Sequence, residues 1–501
     1  MTSNGSIQTK TNVLIIYTGG TIGMTPKDAD NPASPLTPAP LDELLQYAPR
    51  LERIQSQIEI HYEAAFDTPL DSSNVAPLHW VEMARIIAKN YDKYDGFVIL
   101  HGTDTMAFTA SGLAFILNNL SKPVVITGSQ LPISAIRTDA VQNLVSAIYL
   151  AGYKAFGIPP IPEVILCFSD RILRGCRATK VSTIDYIGFD SPNFPPLGSI
   201  GKQIKINEKL IRPMPEDGQN FFISEELAWE VMQKAEVLNI GLFPGFKASQ
   251  LETMLNLPNV KGVVLRTFGA GNAPGDPEFL QAIDSAIHGE SECLILSVTQ
   301  CRKGMVEMGR YAASSGLLES GVLSGLDMTE EAAMAKLYWT LGTQLEGGRS
   351  EQLQISQRGE QSQNLFNLSY GKGGSEGQPV DIFRATKIPD YRLDWRKISR
   401  AVVRLCGVRI AGASIGDTIT VRIFMNKPAA TAKTPRDNER CVAELQAEWD
   451  GEALNFIQEI ASRKTKTVIS QGKIILSVVP QDGVKIWFDG LYLALFAEAD
   501  Y

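Results

Sequence analysis

Two short apolar runs, Val13-Leu14-Ile15-Ile16-Tyr17 and Phe97-Val98-Ile99-Leu100, each stop at a glycine-containing turn that carries a threonine. The first turn is Thr18-Gly19-Gly20-Thr21-Ile22-Gly23, and the second is His101-Gly102-Thr103-Asp104-Thr105-Met106. An open α/β sheet presents side chains at the carboxyl ends of its strands, and ligand crevices form along that edge. The chain is therefore expected to place Thr21 and Thr103 at such an edge.

Alternation continues along the chain. Val124-Val125-Ile126-Thr127 precedes a helical pattern from Thr138 to Tyr149, and Glu163-Val164-Ile165-Leu166-Cys167-Phe168 follows, the signature of a mostly parallel α/β sheet. The 501 residues suggest about three domains at ~150 residues each. The proline-rich stretch Ser191 to Gly198 cannot continue a helix and leads into polar sequence. This predicts a large α/β domain over 12–205, a linker over 206–236 and a smaller α/β domain over 237–353, closed by a helix from Thr329 to Leu345.

A Gln- and Ser-rich stretch and Gly371-Lys372-Gly373-Gly374-Ser375-Glu376-Gly377 then have the composition of a flexible linker, placed at 354–379. From 380 to 501 strict alternation, as in Thr418-Ile419-Thr420-Val421-Arg422-Ile423, predicts a β-rich, sandwich-like module. One helical insertion is expected near Glu452 to Ser462.

Composition narrows the functions. Forty-seven basic against 55 acidic residues leave a net charge of −8 without a long basic block, so neither nucleic acid nor a membrane surface is the expected partner. The polar start, Met1 to Lys10, shows no export signal, and no run reaches transmembrane length. Six cysteines without C-x-x-C spacing read as reduced thiols, which predicts a cytoplasmic protein. The four scattered histidines lack metal-ligand spacing, so neither a metal nor another cofactor is expected.

A threonine hydroxyl is a weak nucleophile at neutral pH and needs a base and a hole for the developing oxyanion. Gly19 and Gly20 permit unusual dihedrals and close substrate approach, with backbone N–H groups nearby. Met24 to Pro40 is rich in proline and has no apolar period, as suits a mobile flap. Taken alone, Thr18 to Gly23 equally fits a tight strand-to-helix turn or a phosphate loop, and Asp104 an N-cap. Thr103, Asp104 and Thr105 together exceed what capping needs. With histidines scattered, a lysine is the candidate base, and Lys180 in Arg177-Ala178-Thr179-Lys180 is the one selected. His101 reads as structural.

At these residues the chain resembles the bacterial L-asparaginase family, above all its type I cytoplasmic branch. The likeness runs from about Asn12 to Leu353, through Thr18 to Gly23, Asp71-Ser72-Ser73, His101 to Met106, Thr179-Lys180, Gly269 to Pro274 and Thr299-Gln300-Cys301. The resemblance implies a two-domain asparaginase-like fold in which Thr21 attacks the side-chain amide of L-asparagine. It implies Thr103, Asp104 and Lys180 as a supporting triad, with Asp71, Ser72 and Ser73 holding the amino-acid end of the substrate and Asp104 meeting its ammonium. It further implies a homodimer or homotetramer, and a second, allosteric asparagine position at Arg266, Thr299 and Cys301, linked to Lys180 through Thr179. Such members carry a flap tyrosine, but Met24 to Pro40 contains none and the next is Tyr47.

Two other functions fit the same motifs. One keeps the scaffold but changes the substrate, as in tRNA-dependent amidotransferase subunits and lysophospholipase-like proteins. The other is a catalytically weakened interaction protein whose β module does the binding.

Overall fold

The structure, a computed structural model, describes residues 10–27, 34, 36–39, 51–224, 234–308, 312–343, 348–362, 364–369, 373–375, 380–382, 398–425, 427, 430–435, 440–460, 476–488 and 490–497. The chain forms two compact units. The first comprises Met1–Val306, Val322–Leu353 and Gln357–Gln361, and the second the remaining segments up to Tyr501.

Five of the strands that build the first unit's main sheet are parallel: β1 (Thr11–Tyr17), β2 (Ile58–Ala64), β3 (Gly96–Leu100), β4 (Val124–Thr127) and β5 (Val164–Phe168). Strands β6 (Arg171–Arg174), β7 (Gly198–Ile200) and β8 (Ile204–Ile206) extend it antiparallel, in the order β8-β7-β6-β5-β4-β3-β1-β2. β3, β4 and β5 are buried at every residue, because helices cover both faces. Leu14 and Ile16 of β1 point to one face, where α1 (Pro77–Asn90) and α2 (Met106–Ile116) pack; Val13, Ile15 and Tyr17 point to the other, under α3 (Ala140–Ala151). Helix α2 is buried nearly all round, and a Cβ on its Gly112 would lie 2.4 Å from the Trp80 ring of α1.

The smaller sheet of the same unit is parallel in the order β9 (Glu236–Gly241), β10 (Val260–Thr267), β11 (Leu294–Thr299) and β12 (Leu323–Ser324). Helices α4 (Ala248–Leu255) and α5 (Pro277–His288) accompany it. Helix α6 (Glu330–Gly342) starts at an N-cap in which the Thr329 hydroxyl accepts from the Ala332 amide, and two glutamates in its first turn suit the helix dipole. Its Ala332, Ala335 and Trp339 share a core with α2. The expected linker is partly packed: Phe222–Ile223 pairs with Leu117–Asn118, and Phe221 stacks on Tyr91 at 3.7 Å.

The second unit is antiparallel. Its strands are β13 (Asn364–Ser369), β14 (Gly373–Ser375), β15 (Val380–Ile382), β16 (Ile398–Ala411), β17 (Thr418–Met425), β18 (Cys441–Glu448), β19 (Leu454–Ile460), β20 (Leu476–Pro480), β21 (Lys485–Phe488) and β22 (Gly490–Ala497). One sheet runs β13-β22-β16-β21-β14 with β19 on β16, the other β15-β20-β17-β18. Val403, Leu405 and Phe456 from the first share a core with Ile419, Val421 and Val478 from the second, as in a sandwich.

Two expectations need correction here. No helix lies near Glu452 to Ser462 among the described residues; Leu454–Ile460 is β19, paired with β16 and burying Phe456 and Ile460. A short apolar run leaves helix and strand undecided by period alone, and cross-strand pairing settled it. Residues 354–379, read as flexible linker, contain β13 and β14, because a ladder bonds through backbone and glycine has the same N–H and C=O as any residue. Phe456→Ala is expected to destabilise the second unit by about 3–5 kcal/mol, measured as the shift of its denaturant midpoint. A change below about 1 kcal/mol would be incompatible with a buried strand position.

Candidate active site

Strands β1 and β3 are neighbours in the sheet, so their carboxyl-terminal turns meet. They meet at two glycines. Gly20 has φ +83° and lies so close to the second turn that a Cβ on it would fall 2.2 Å from the Gly102 amide nitrogen. A Cβ on Gly102 would in turn fall 2.6 Å from the Ser72 Oγ. Thr21 and Thr103 are the next residues after the touching glycines, one half-buried at the start of a 3-10 turn, the other buried.

A third segment is bonded into this junction. Gly19 bridges Leu70, the Gly20 amide donates to the Leu70 carbonyl at 3.0 Å, and the Leu70 amide donates to the Thr18 carbonyl at 2.8 Å. The Gly20 amide is thereby committed, so it is not an oxyanion donor. Asp71 opens a 3-10 turn whose Ser73 amide and hydroxyl both donate to its Oδ1, at 2.9 and 2.7 Å. These two bonds hold the Asp71 carboxyl below its ordinary range. Ser72 accepts from the Thr105 hydroxyl through its carbonyl, 2.7 Å, and from the Asp104 amide through its Oγ, 3.3 Å. Asp71, Ser72 and Ser73 are thus lashed to the Thr103–Thr105 turn.

Lys180 arrives on a two-residue strand, Thr179–Lys180, that pairs with Phe189–Asp190. Its Nζ donates to Thr103 Oγ1 and to Asp104 Oδ1, both at 2.8 Å. Lys180 is largely covered, with 18% of its side chain exposed, whereas 64% of the Asp104 side chain is open to solvent. The carboxylate therefore retains a free flank for another cation.

His101 is fully buried and structural. Its Nδ1 lies 2.8 Å from the Gly102 carbonyl, which only accepts, so Nδ1 carries the proton and Nε2 accepts from the Thr109 hydroxyl at 2.9 Å. Burial lowers its pKa to about 4. Among the described residues no group of three or more His, Cys, Asp or Glu is placed to hold a metal, and no helix is long and apolar enough to cross a membrane.

Beside Lys180 opens a pocket of about 290 Å³. Thr179, Lys180, Arg266, Thr299, Cys301 and Glu331 all contribute to its lining. Thr299 Oγ1 accepts from the Cys301 amide at 3.0 Å, and Arg266 forms an ion pair with Glu330 at 2.9 Å. The Thr179 hydroxyl donates to Glu331 Oε1 at 2.7 Å, while Glu331 Oε2 is buried without a hydrogen bond. Burial pushes the Glu331 carboxyl up to about 7, against the opposing bond from Thr179.

Sequence reasoning missed Glu330 and Glu331. Met328-Thr329-Glu330-Glu331 reads as a helix start, and nothing in a capping signature marks a carboxylate that faces a pocket. Of the flap, Met24–Pro26 and Leu36–Pro38 form a small antiparallel ladder, pinned where the Tyr17 hydroxyl donates to the Ala39 carbonyl at 2.8 Å. Tyr47 lies outside the described residues.

Comparisons with known proteins agree with this architecture. The model of the asparaginase N-terminal domain matches residues 12–212, and that of the glutaminase/asparaginase C-terminal domain matches 236–353. L-asparaginase 1 of Escherichia coli strain K12 is 38% identical over 338 residues, 67% of this chain and 94% of that protein. The 60 kDa lysophospholipase of Mus musculus is also 38% identical, over 350 residues that cover 66% of this chain and 58% of that protein. The crystal structure of L-asparaginase I from Vibrio cholerae superposes with a TM-score of 0.59 at 36% identity, across 71% of this chain and 100% of that one. The chain therefore belongs to the asparaginase family of amidohydrolases, with a β-rich region beyond that family's two domains.

Proposed function

We propose that this protein hydrolyses L-asparagine to L-aspartate and ammonia, with Thr21 as nucleophile. The observation that carries the reading is Lys180 Nζ, 2.8 Å from both Thr103 Oγ1 and Asp104 Oδ1, one residue beyond the glycine contact that also carries Thr21. In the first half, Thr21 Oγ adds to the side-chain amide carbon, its proton passes to the leaving nitrogen, the C–N bond breaks, and a β-aspartyl ester and ammonia result. In the second, water adds to the ester carbon and the Thr21 oxygen leaves with a proton. Thr103, Asp104 and Lys180 form the supporting triad, and Lys180 must be the amine whenever it takes a proton from Thr103.

Recognition follows from charge. Asp71, held ionised by Ser73, and the open flank of Asp104 suit an α-ammonium, and Ser72 and Ser73 complete the amino-acid end. The pocket beside Lys180 suits a second asparagine, an allosteric role in which Arg266, Thr299 and Cys301 hold the effector and Thr179 relays its presence to Lys180.

We further take the protein as a cytoplasmic homo-oligomer, dimer or tetramer. Residues 12–205 and 237–353 serve as its two family domains and 380–501 as an appended module.

Two measurements follow, the first on this reading and the second on the buried carboxyl beside Thr179. Thr21→Ala is expected to lower ammonia release from L-asparagine by at least about 10³-fold without changing the oligomer, and substantial turnover in that variant would remove Thr21 from its role. The second concerns Glu331. Between its unfolded value near 4.5 and its folded value near 7 the folded state alone keeps the proton, so stability falls as pH rises through that window. Glu331→Gln keeps an acceptor for Thr179 and is expected to abolish that fall, worth up to roughly 3 kcal/mol between pH 5 and 8 in denaturant titrations. Equal pH slopes in the two proteins would contradict it.

A further inference from the structure

Residues 357–361 lie just past position 353, where the match to the C-terminal domain model ends, and they belong to the first unit. They form a tight turn. The Glu360 carboxylate accepts from the amides of Gln357 and Arg358, and Gly359 stands at φ +78°, where a Cβ would fall 2.3 Å from Arg174. Glu360 is fully buried and pairs with the equally buried Lys336 at 2.6 Å. Burial alone would raise this carboxyl, but Lys336 and the two amides outweigh it and hold it at about 2.

Arg358, Gly359 and Glu360 each reach an element that carries part of the site. Arg358 donates from Nε to the Ala114 carbonyl at 2.9 Å and from its terminal nitrogen to the Phe115 carbonyl at 3.3 Å, with Asn118 as a further partner. Those carbonyls close the last turn of α2, and the first turn of α2 follows Thr103 and Asp104. A cation there satisfies orphan acceptors and complements the negative end of the helix dipole. The Gly359 carbonyl accepts from Arg177 Nε at 2.7 Å, and the Arg358 carbonyl from the Cys176 thiol at 3.6 Å, three and four residues before Lys180. Arg177 is in turn paired with buried Asp327 at 2.8 Å. Lys336, the partner of Glu360, stands on α6, whose first turn holds Thr179 through Glu331.

We propose that Gln357–Gln361 is a clasp that positions Lys180 against Thr103 and Asp104, with Arg358, Gly359 and Glu360 as positioning residues. It joins α2, the Cys176–Lys180 segment and α6 at one point. The inference rests on the reading of Thr103, Asp104 and Lys180 as the catalytic triad. Geometry at a reacting centre is steeply tied to rate, and the clasp's own bonds go to α2, the Cys176–Lys180 segment and α6 rather than to Asp71, Ser72 or Ser73.

Arg358→Met in the full-length chain is the test, with asparagine turnover and hydrogen exchange measured together. The expected result is a fall in kcat of about tenfold or more, with KM changed less than about threefold, and partial recovery in Arg358→Lys. Amide exchange over 101–105 and 175–181 is expected to quicken in Arg358→Met beyond any change in the second unit. Unchanged exchange in those two segments, or kcat and KM altered in equal proportion without local exchange, would overturn the clasp. If Arg358→Met does not fold, Arg177→Lys, which keeps a cation beside Asp327 but loses the Nε bond to Gly359, is read in the same way. An unmodified chain that releases no ammonia from L-asparagine would count against the asparagine-hydrolysis reading, and exchange in the variants would still decide the clasp.

Discussion

The site hangs on the contact between Gly20 and Gly102. Two parallel neighbours, β1 and β3, end in turns that touch backbone to backbone, and a Cβ on either glycine would overlap atoms of its neighbours. Glycine at position 20 also accepts φ +83°, which costs other residues conformational energy. This contact places the residue after each glycine, a threonine in both cases, at one sheet edge. Ser72 fills the remaining side of Gly102, and through it the Asp71–Ser73 turn is bonded to Asp104 and Thr105.

Charge is layered around that junction. Lys180 is mostly covered and shares its protons between a buried hydroxyl and an open carboxylate. Behind it, Thr179 bonds Glu331, and the fully buried Lys336–Glu360 pair lies further along the same helix. Buried ion pairs contribute little net stability, because desolvation offsets their attraction. Their geometry is nevertheless demanding, since breaking one partner leaves a stranded charge.

Much of the fold was legible because it is repetitive. Val13 to Tyr17, Phe97 to Leu100 and Val164 to Phe168 are short apolar runs, and strands buried on both faces admit little else. The β-rich region was legible from alternation, but Leu454 to Ile460 was not, because a short run satisfies both periods until a partner strand selects one. Gly373 to Ser375 misled for a different reason. Composition reports side chains, whereas the ladder to β21 uses backbone alone.

The sequence by itself determined which chemistry was on offer: threonines after glycine turns, a carboxylate beside one of them, and a lysine as candidate base. It did so because turns need glycine and parallel strands need unbroken apolar runs, both local requirements. Only the tertiary structure decided that Lys180 stands 2.8 Å from Thr103 and Asp104, 77 and 76 positions away in the chain. It also decided that Glu331 faces Thr179 across 152 positions, and that residues 357–361 bind α2 and the Lys180 segment together. These are long-range pairings between side chains or caps whose local sequence is complete without them. A helix start at Thr329 and a polar turn at Gln357 satisfy their neighbours whether or not a distant partner exists, so no local pattern can announce one.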